Sequence, residues 1–291
     1  MQALTRRDVL VLLLALSVAP AVFLAKSWKA SAARGSQQPA EPFRIAGNFY
    51  FVGANDVSIF LLTAPEGHVL FDAGFPGIAP MIVANITKLG FDVKDVRALL
   101  SSGPRNDLAG GLATLQQLSG AQLWASDANA RIIASGGEDP DVGPPLRLFG
   151  WLLGYPPARV DHRVKDGDTI HVGPHAITAH ITGGSSRGCT SWSFPVRDGA
   201  RVLSVVSACG FGIVLGMRYP EQSADIERSL RVLRSLPADI WVTSHGRAWG
   251  RYRKFVASST AKNSADPFID RDGYRAYLDD AEREFRSGLV H

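Results

Sequence analysis

Short apolar runs alternate, after residue 42, with longer segments in which apolar residues recur at helical spacing. Three runs are rich in β-branched and aromatic residues and predict strands. They cover residues 48–52, 58–63 and 68–71, and a fourth apolar run predicts a buried strand at residues 96–100. Helical spacing predicts helices at residues 78–89, 111–118 and 127–134. The first half of the chain therefore begins with strands and then alternates strands with helices.

The second half of the chain repeats this scheme. Strands are predicted at residues 177–181, 190–196, 201–207 and 240–244, and helices at residues 223–236 and 274–285. A chain of 291 residues with 46% hydrophobic content can bury a substantial core, and no change of composition between residues 43 and 285 indicates a domain boundary. The order of elements favours one layered α/β domain over residues 43–291.

The first 32 residues have the pattern of an export signal. Residues 5–8 read Thr-Arg-Arg-Asp, which resembles a twin-arginine signal; an apolar run covers residues 9–25, and residues 30–32 read Ala-Ser-Ala, a small-residue cleavage site. An uncleaved anchor is the alternative, because about 17 apolar residues are near the lower limit for crossing a bilayer. We expect a periplasmic or secreted protein, or one anchored in the membrane, with residues 33–42 as a flexible linker.

Charge gives no indication of a nucleic-acid partner. The formal net charge is +4, but residues 1–32 contain four basic residues and one acidic residue, so the remaining chain has a net charge of +1. Nucleic-acid binding requires a basic stripe or patch that neutralises phosphates. We therefore expect a small-molecule partner, no nucleic acid, and no membrane contact beyond a retained N-terminal anchor.

Residues 101–110 have the position of a functional loop, between a predicted strand and a predicted helix. They read Ser-Ser-Gly-Pro-Arg-Asn-Asp-Leu-Ala-Gly, in the register of the His-x-His-x-Asp-His motif of metallo-β-lactamases. Further segments in chain order resemble the third (B-three) subclass of that family, among them Phe-Asp-Ala-Gly at residues 71–74, Gly-Cys-Thr-Ser-Trp at 188–192 and Asp-Pro-Phe-Ile-Asp at 266–270. This resemblance runs from about residue 43 to 285 and implies an αββα sandwich with its site along one edge, between the two β-sheets.

The resemblance also assigns the six metal-ligand positions of the family. They are occupied here by Gly103, Arg105, Asp107, Leu108, Ser185 and His245. Glycine and leucine offer no lone pair, and arginine stays protonated. Only Asp107 and His245 keep groups that zinc favours, whereas the hydrolytic chemistry of the family needs a metal-bound water. We therefore expect a degenerate dizinc centre that has lost four of six ligands, no dizinc catalysis and no cofactor.

Two cysteines leave a second interpretation open. Cys209 follows the strand predicted at residues 201–207, in roughly the region where other metallo-β-lactamase subclasses place a zinc-binding thiolate. With Asp107 and His245 it would complete a three-ligand site for one zinc, and the chain would be a mononuclear zinc hydrolase. Cys189 and Cys209 could instead form a disulfide in an oxidising compartment, or both could be buried thiols.

Two arginines suggest a ligand-binding role for the same cleft. Arg105 stands at a former imidazole position and could replace the charge of a metal, either by pairing with Asp107 or by binding a carboxylate-bearing ligand. Arg187 lies in the other degenerate ligand loop and could add to a cationic floor; the alternative is that both side chains point to solvent. Asp72 follows a predicted strand, and we expect its carboxylate to accept hydrogen bonds from loop backbone.

Three functional classes follow from these residues. A non-catalytic or strongly altered member of the family, binding a small anionic ligand, is favoured because function depends on the site more than on the fold. A mononuclear zinc hydrolase comes second. An active dizinc β-lactam hydrolase comes last, because its ligands are not present.

Overall fold

Two β-sheets pack against each other in the computed structural model, which describes residues 35, 37–143, 154–211 and 218–287. The signal or anchor predicted at residues 1–32 lies outside the described residues. Among the helices of the described residues, none is long and apolar enough to cross a membrane.

The first sheet has seven strands in chain order. They are β1 (Phe43–Ala46), β2 (Phe49–Phe51), β3 (Phe60–Leu62), β4 (His68–Phe71), β5 (Val96–Leu100), β6 (Gln122–Ser126) and β7 (His162–Val164). Strands β1 to β4 pair antiparallel, as hairpins do, whereas β4 to β7 pair parallel. The carboxyl ends of β4, β5 and β6 therefore meet at one edge.

The second sheet has five strands, ordered β12-β11-β10-β9-β8. They are β8 (Thr169–Val172), β9 (His175–Ile181), β10 (Thr190–Asp198), β11 (Arg201–Ala208) and β12 (Ile240–Thr243). The pairs are antiparallel except for β11 with β12, which is parallel.

Seven α-helices of the described residues accompany the sheets. They are α1 (Ala79–Lys88), α2 (Asn106–Ala109), α3 (Leu112–Ser119), α4 (Asp127–Ala134), α5 (Gln222–Ser235), α6 (Arg251–Ser258) and α7 (Arg271–Arg286). Two 3₁₀ turns lie at Val93–Asp95 and Asp266–Phe268.

The buried apolar residues form two clusters, and the cluster between the sheets also includes Leu230 of α5 and Leu278 of α7. Between the sheets, Phe71 of β4 stacks on Phe194 of β10 with ring centroids 5.0 Å apart, and Phe49 meets the same ring edge to face. On the outer face of the first sheet, Leu61 and Leu70 are fully buried in a cluster with residues of α1, α3 and α4. Helix, sheet, sheet and helix thus form four layers, which confirms the predicted αββα sandwich.

Candidate functional site

Residues 101–110 lie at the edge where the carboxyl ends of β4, β5 and β6 meet. The Asp72 N–H donates to the Leu100 carbonyl at 2.9 Å, and the Ser101 N–H donates to the Trp124 carbonyl at 3.0 Å. The Ala73 N–H donates to the Leu108 carbonyl at 2.8 Å, which ties helix α2 to the loop after β4. These hydrogen bonds hold residues 101–110 in place at the edge of the first sheet.

Arg105 and Asp107 form a two-pronged ion pair at the start of α2. Arg105 Nε donates to Asp107 Oδ1 and Arg105 Nη2 donates to Asp107 Oδ2, each at 3.1 Å. The two side chains are only 19% and 13% exposed, so the pair is partly withdrawn from water. Of the two roles expected for Arg105, the structure supports pairing with Asp107.

His245 approaches the same carboxylate from the second sheet. It follows β12, and the Ser58 N–H donates to the Ser244 carbonyl at 2.8 Å, which fixes the end of this strand against the first sheet. His245 Nε2 lies 3.5 Å from Asp107 Oδ2. The structure thus brings Asp107 and His245 together, as the motif register predicts.

Asp72 lies beneath this cluster and is buried. Its Oδ1 accepts a 2.7 Å hydrogen bond from the Ser102 N–H, so the expected bond to loop backbone is confirmed. The pKa of Asp72 is raised to about 7, chiefly by burial; the hydrogen bonds from Ser102 oppose this shift, the Asp107 carboxylate adds to it, and Arg105 opposes it. Asp72 also has a positive φ of 62°, the one such non-glycine residue among those described.

Two of the assigned ligand positions pack against each other. Leu108 is buried, and a Cβ atom placed on Gly103 would lie 2.8 Å from Leu108 Cδ1. The side chain of Leu108 therefore fills the space beside the Gly103 backbone. The buried Tyr155 packs beside this part of the loop, and its hydroxyl donates a hydrogen bond to the Pro104 carbonyl.

Cys209 is bonded to Cys189 in a disulfide, which corrects the interpretation of Cys209 as a zinc ligand. A thiolate binds zinc, and a disulfide sulfur carries no such charge. Ser185, another assigned ligand position, donates its hydroxyl to Cys189 Sγ at 3.1 Å, so it lies beside the disulfide. Cys209 Sγ lies 3.3 Å from the Ser102 carbonyl oxygen, so the disulfide packs against the loop of residues 101–110.

Arg187 does not line the cleft, which corrects its expected role in ligand binding. Its Nε donates to Asp141 at 2.8 Å and its Nη1 donates to Glu221 at 2.5 Å. Its guanidinium carbon also lies 4.5 Å from the centre of the Tyr219 ring. The charge of Arg187 is thus matched by two carboxylates, and the pairing tethers the 185–188 loop to residues outside the cleft.

A cleft of about 370 Å³ opens over the ion pair. Its walls include Phe75, Arg105, Asp107, Asp139, Tyr155 and His245. Tyr155 and Asp139 were not predicted as site residues from the sequence. Asp139 ends the Ser-Gly-Gly-Glu-Asp segment at residues 135–139, which resembles the family, so this match was the signal that could have found it.

The donor groups present do not fit a dizinc centre. Both carboxylate oxygens of Asp107 already accept hydrogen bonds from Arg105, whose positive charge opposes a cation at the same place. His245 supplies one imidazole, and no group of three or more histidine, cysteine, aspartate or glutamate residues that could hold a metal occurs in the part of the chain that the structure describes. Zinc sites need three or four such donors.

Comparison with known proteins agrees with this architecture. Residues 52–245 match the family model of the metallo-beta-lactamase superfamily. The chain belongs to the metallo-β-lactamase superfamily. Its fold is similar to Rm3 metallo-beta-lactamase, with 36% identity and a TM-score of 0.82, over 89% of this chain and 97% of that one.

Two further relatives place it beside the B3 subclass. BJP-1, a subclass B3 metallo-beta-lactamase of Bradyrhizobium japonicum, is 27% identical with a TM-score of 0.79, over 89% of this chain and 97% of that one. A Cronobacter sakazakii metallo-β-lactamase described by its HARLDQ motif is 32% identical with a TM-score of 0.81, over 89% and 98%. Residues 103–108 here read Gly-Pro-Arg-Asn-Asp-Leu, so Arg105 and Asp107 have the spacing of the arginine and aspartate in HARLDQ.

Proposed function

We propose that this member of the metallo-β-lactamase superfamily is a metal-independent binding protein that has lost dizinc hydrolysis. The observation that carries the proposal is the pairing of Arg105 with both oxygens of Asp107. A protonated guanidinium at this carboxylate supplies positive charge but has no coordination site for water, so it cannot generate the nucleophile that a zinc ion would.

The residues around the Arg105–Asp107 pair support the proposed loss of zinc ligands. Leu108 is packed into the space beside Gly103, so two of the former imidazole positions form an apolar contact. The disulfide removes Cys209 as a substitute donor. A mononuclear zinc hydrolase built on Asp107, Cys209 and His245 is therefore not proposed.

The ligand proposed for the cleft is a small molecule that presents an acceptor oxygen, with a carboxylate as the preferred group. A guanidinium has five N–H donors, and Asp107 engages two of them through Nε and Nη2. The Nη1 atom of Arg105 has no hydrogen-bond partner among the described residues, and Arg105 lines the cleft. Arg187 is not part of this proposal, because Asp141 and Glu221 hold it.

Zinc content and β-lactam turnover test the loss of hydrolysis. We expect purified protein supplied with zinc to carry far less than two ions per chain by plasma emission spectrometry, and to hydrolyse benzylpenicillin and a carbapenem poorly or not at all. Two stoichiometric zinc ions, with turnover abolished by a chelator and restored by zinc, would refute the proposal.

A restored variant sharpens this test. Replacing Gly103, Arg105, Leu108 and Ser185 together by histidine rebuilds the four imidazoles, and the change at Leu108 also removes the contact that blocks a side chain at Gly103. We expect this variant to gain zinc while the parent does not. If the parent binds as much zinc as the variant, the four positions do not govern metal binding.

Binding of benzylpenicillin, which carries one carboxylate, tests the ligand class by calorimetry without turnover. Arg105→Ala should weaken binding by about tenfold, the effect of one charge-assisted hydrogen bond. Arg131→Ala, which alters an exposed ion pair with Asp127 and removes a side chain that does not line the cleft, is the matched control and should leave affinity unchanged. Equal affinity of parent and Arg105→Ala would show that the cleft does not use Arg105.

Export is part of the proposal. The twin-arginine-like segment and the apolar run in residues 1–32 support it, and so does the disulfide, because such bonds persist in oxidising compartments. Fractionation of cells expressing the tagged chain tests it. Protein found only in the cytoplasm would contradict it, whereas protein retained in the membrane would indicate the uncleaved anchor.

A further inference from the structure

Helix α6 exposes apolar and basic side chains on its outer face. Tyr252 is 71% exposed and Val256 is 49% exposed; they lie four residues apart, on one face of the helix, with the exposed Arg253 beside them. Large exposed apolar side chains are few among the described residues, and two of them are neighbours here. This pair is therefore a local apolar patch on a polar helix.

The inner face of α6 fixes this orientation. Lys254 is buried and its Nζ lies 2.7 Å from Asp270 Oδ2. Arg251 is also buried; its Nε donates to the Asn55 carbonyl and its Nη2 to Asn55 Oδ1, each at 3.1 Å. Two buried cations with fixed partners hold Tyr252 and Val256 towards the outside.

The charge around the patch is positive. Arg253 lies within α6 and Lys262 lies four residues beyond its end. Both are exposed, and neither forms a salt bridge with the described residues. Arg247, before the helix, is 87% exposed at its side chain and pairs with Asp56, which is itself mostly buried. Arg253 and Lys262 therefore carry positive charge that no salt bridge with the described residues offsets, whereas Arg247 is paired with Asp56 and the exposed Asp266 nearby is paired with Arg201.

The N-terminal chain enters the fold beside the same helix. The Asn55 N–H donates to the Gln38 carbonyl at 2.9 Å, and Asn55 Nδ2 donates to the Gly35 carbonyl at 3.4 Å. Asn55 is the residue that also accepts the hydrogen bonds of Arg251. The apolar run of residues 9–25 ends ten positions before Gly35, and the residues between include the basic Lys26, Lys29 and Arg34.

We propose that the outer face of α6, formed by Tyr252, Arg253 and Val256 with Lys262, contacts an anionic lipid bilayer. Tyrosine is favoured at membrane interfaces because its ring is apolar and its hydroxyl stays in water. Arginine and lysine are attracted to anionic headgroups, and a short basic connection from an apolar N-terminal run would keep this face at the bilayer. A second copy of the chain fits the face less well, because two equally basic faces repel each other.

Hydrogen exchange with the full chain tests the contact directly. Vesicles of phosphatidylcholine alone and of phosphatidylcholine with phosphatidylglycerol are compared by mass spectrometry. We expect exchange of residues 247–262 to slow with the anionic vesicles and to return towards the free value at high salt, which screens the attraction. Helix α3, whose Leu118 is 45% exposed, provides the internal comparison and should show no change.

Surface variants separate this face from any anchoring by residues 9–25. Arg253→Gln with Lys262→Gln should lower the apparent affinity of the protected state about fivefold for each charge removed. Tyr252→Ser with Val256→Ser should abolish the protection. Val202→Ser, which removes a 57% exposed apolar residue elsewhere, is the matched control and should retain it.

Three results would overturn the proposal. The first is unchanged exchange at residues 247–262 in the presence of anionic vesicles, whether or not the protein sediments with them. The second is equal protection on zwitterionic vesicles. The third is protection that appears without vesicles and increases with protein concentration, which would assign the face to a second copy of the chain.

Discussion

Arg105 Nε and Nη2 donate hydrogen bonds to different oxygens of Asp107, each at 3.1 Å, so the charges of these two side chains offset each other. The pair is partly buried, and Asp107 lies close enough to the buried Asp72 to raise its pKa. A guanidinium here compensates negative charge that a metal would otherwise offset.

This pairing predicts a loss of stability when one partner is removed. Arg105→Ala should reduce the free energy of unfolding by roughly 1–3 kcal/mol, because the Asp107 carboxylate is left partly buried without its partner. Chemical denaturation of Arg105→Ala, Asp107→Ala and the double variant measures the coupling. The double variant should be destabilised by less than the sum of the single variants.

An exposed ion pair provides the control for that cycle. Arg131 and Asp127 on α4 are 73% and 54% exposed at their side chains, and their coupling should be below about 0.5 kcal/mol. Equal coupling in the two cycles would mean that the Arg105–Asp107 pair behaves as an ordinary surface contact.

Asp72 predicts a pH-dependent stability. Its pKa is about 7 in the folded protein and 3.8 as an ordinary carboxyl, so between these values the folded state holds a proton that the unfolded chain has released. The contribution of Asp72 to the free energy of unfolding therefore falls as the pH rises from about 4 to 7, and is constant above pH 7.

Asp72→Asn removes this titration while keeping an acceptor for Ser102 and a residue type that tolerates positive φ. Relative to the parent, the variant should gain up to about 4 kcal/mol of stability between pH 4 and pH 8. Denaturant titrations of both proteins at the two pH values measure this difference. A difference that is independent of pH would show that Asp72 does not titrate between them.

The disulfide predicts an absence of free thiols. Unfolded, unreduced protein should show no reaction of Cys189 or Cys209 with a thiol reagent, and two reactive groups after reduction. Cys189→Ala with Cys209→Ala should lower stability by about 3 kcal/mol, because the bond closes a loop of 20 residues in the unfolded chain. Two reactive thiols before reduction would reopen the interpretation of Cys209 as a metal ligand.

The salt bridges of Arg187 predict a structural role outside the cleft. Arg187→Ala should lower the thermal midpoint, since Asp141 and Glu221 lose their partner, and should leave benzylpenicillin affinity unchanged. Scanning calorimetry and binding calorimetry on the same preparation measure both effects. Weaker binding without a change in the midpoint would restore Arg187 to the ligand site.

Most elements were predictable because their burial follows a simple period. Strand β4, strand β5 and helix α4 have the predicted bounds, since each presents a regular apolar pattern. Helix α6 was not predicted, because its buried face carries Arg251 and Lys254, which no hydrophobic pattern reveals. Strands β1, β6, β7 and β8 were also not predicted; polar or exposed residues occupy part of each strand, so no continuous apolar run indicates it.

The amino-acid sequence by itself was enough to predict the layered fold, the family and the loop in which the site lies. Local periodicity and the spacing of motifs are properties of the chain alone. Only the tertiary structure decided which side chains at and near the site pair with each other and which are buried. It pairs Arg105 with Asp107 and directs Arg187 to Asp141, joins Cys189 to Cys209, and buries Asp72 so that its pKa rises. These outcomes depend on distances and burial between distant segments, and the same charged and thiol groups could have formed other partnerships in another packing.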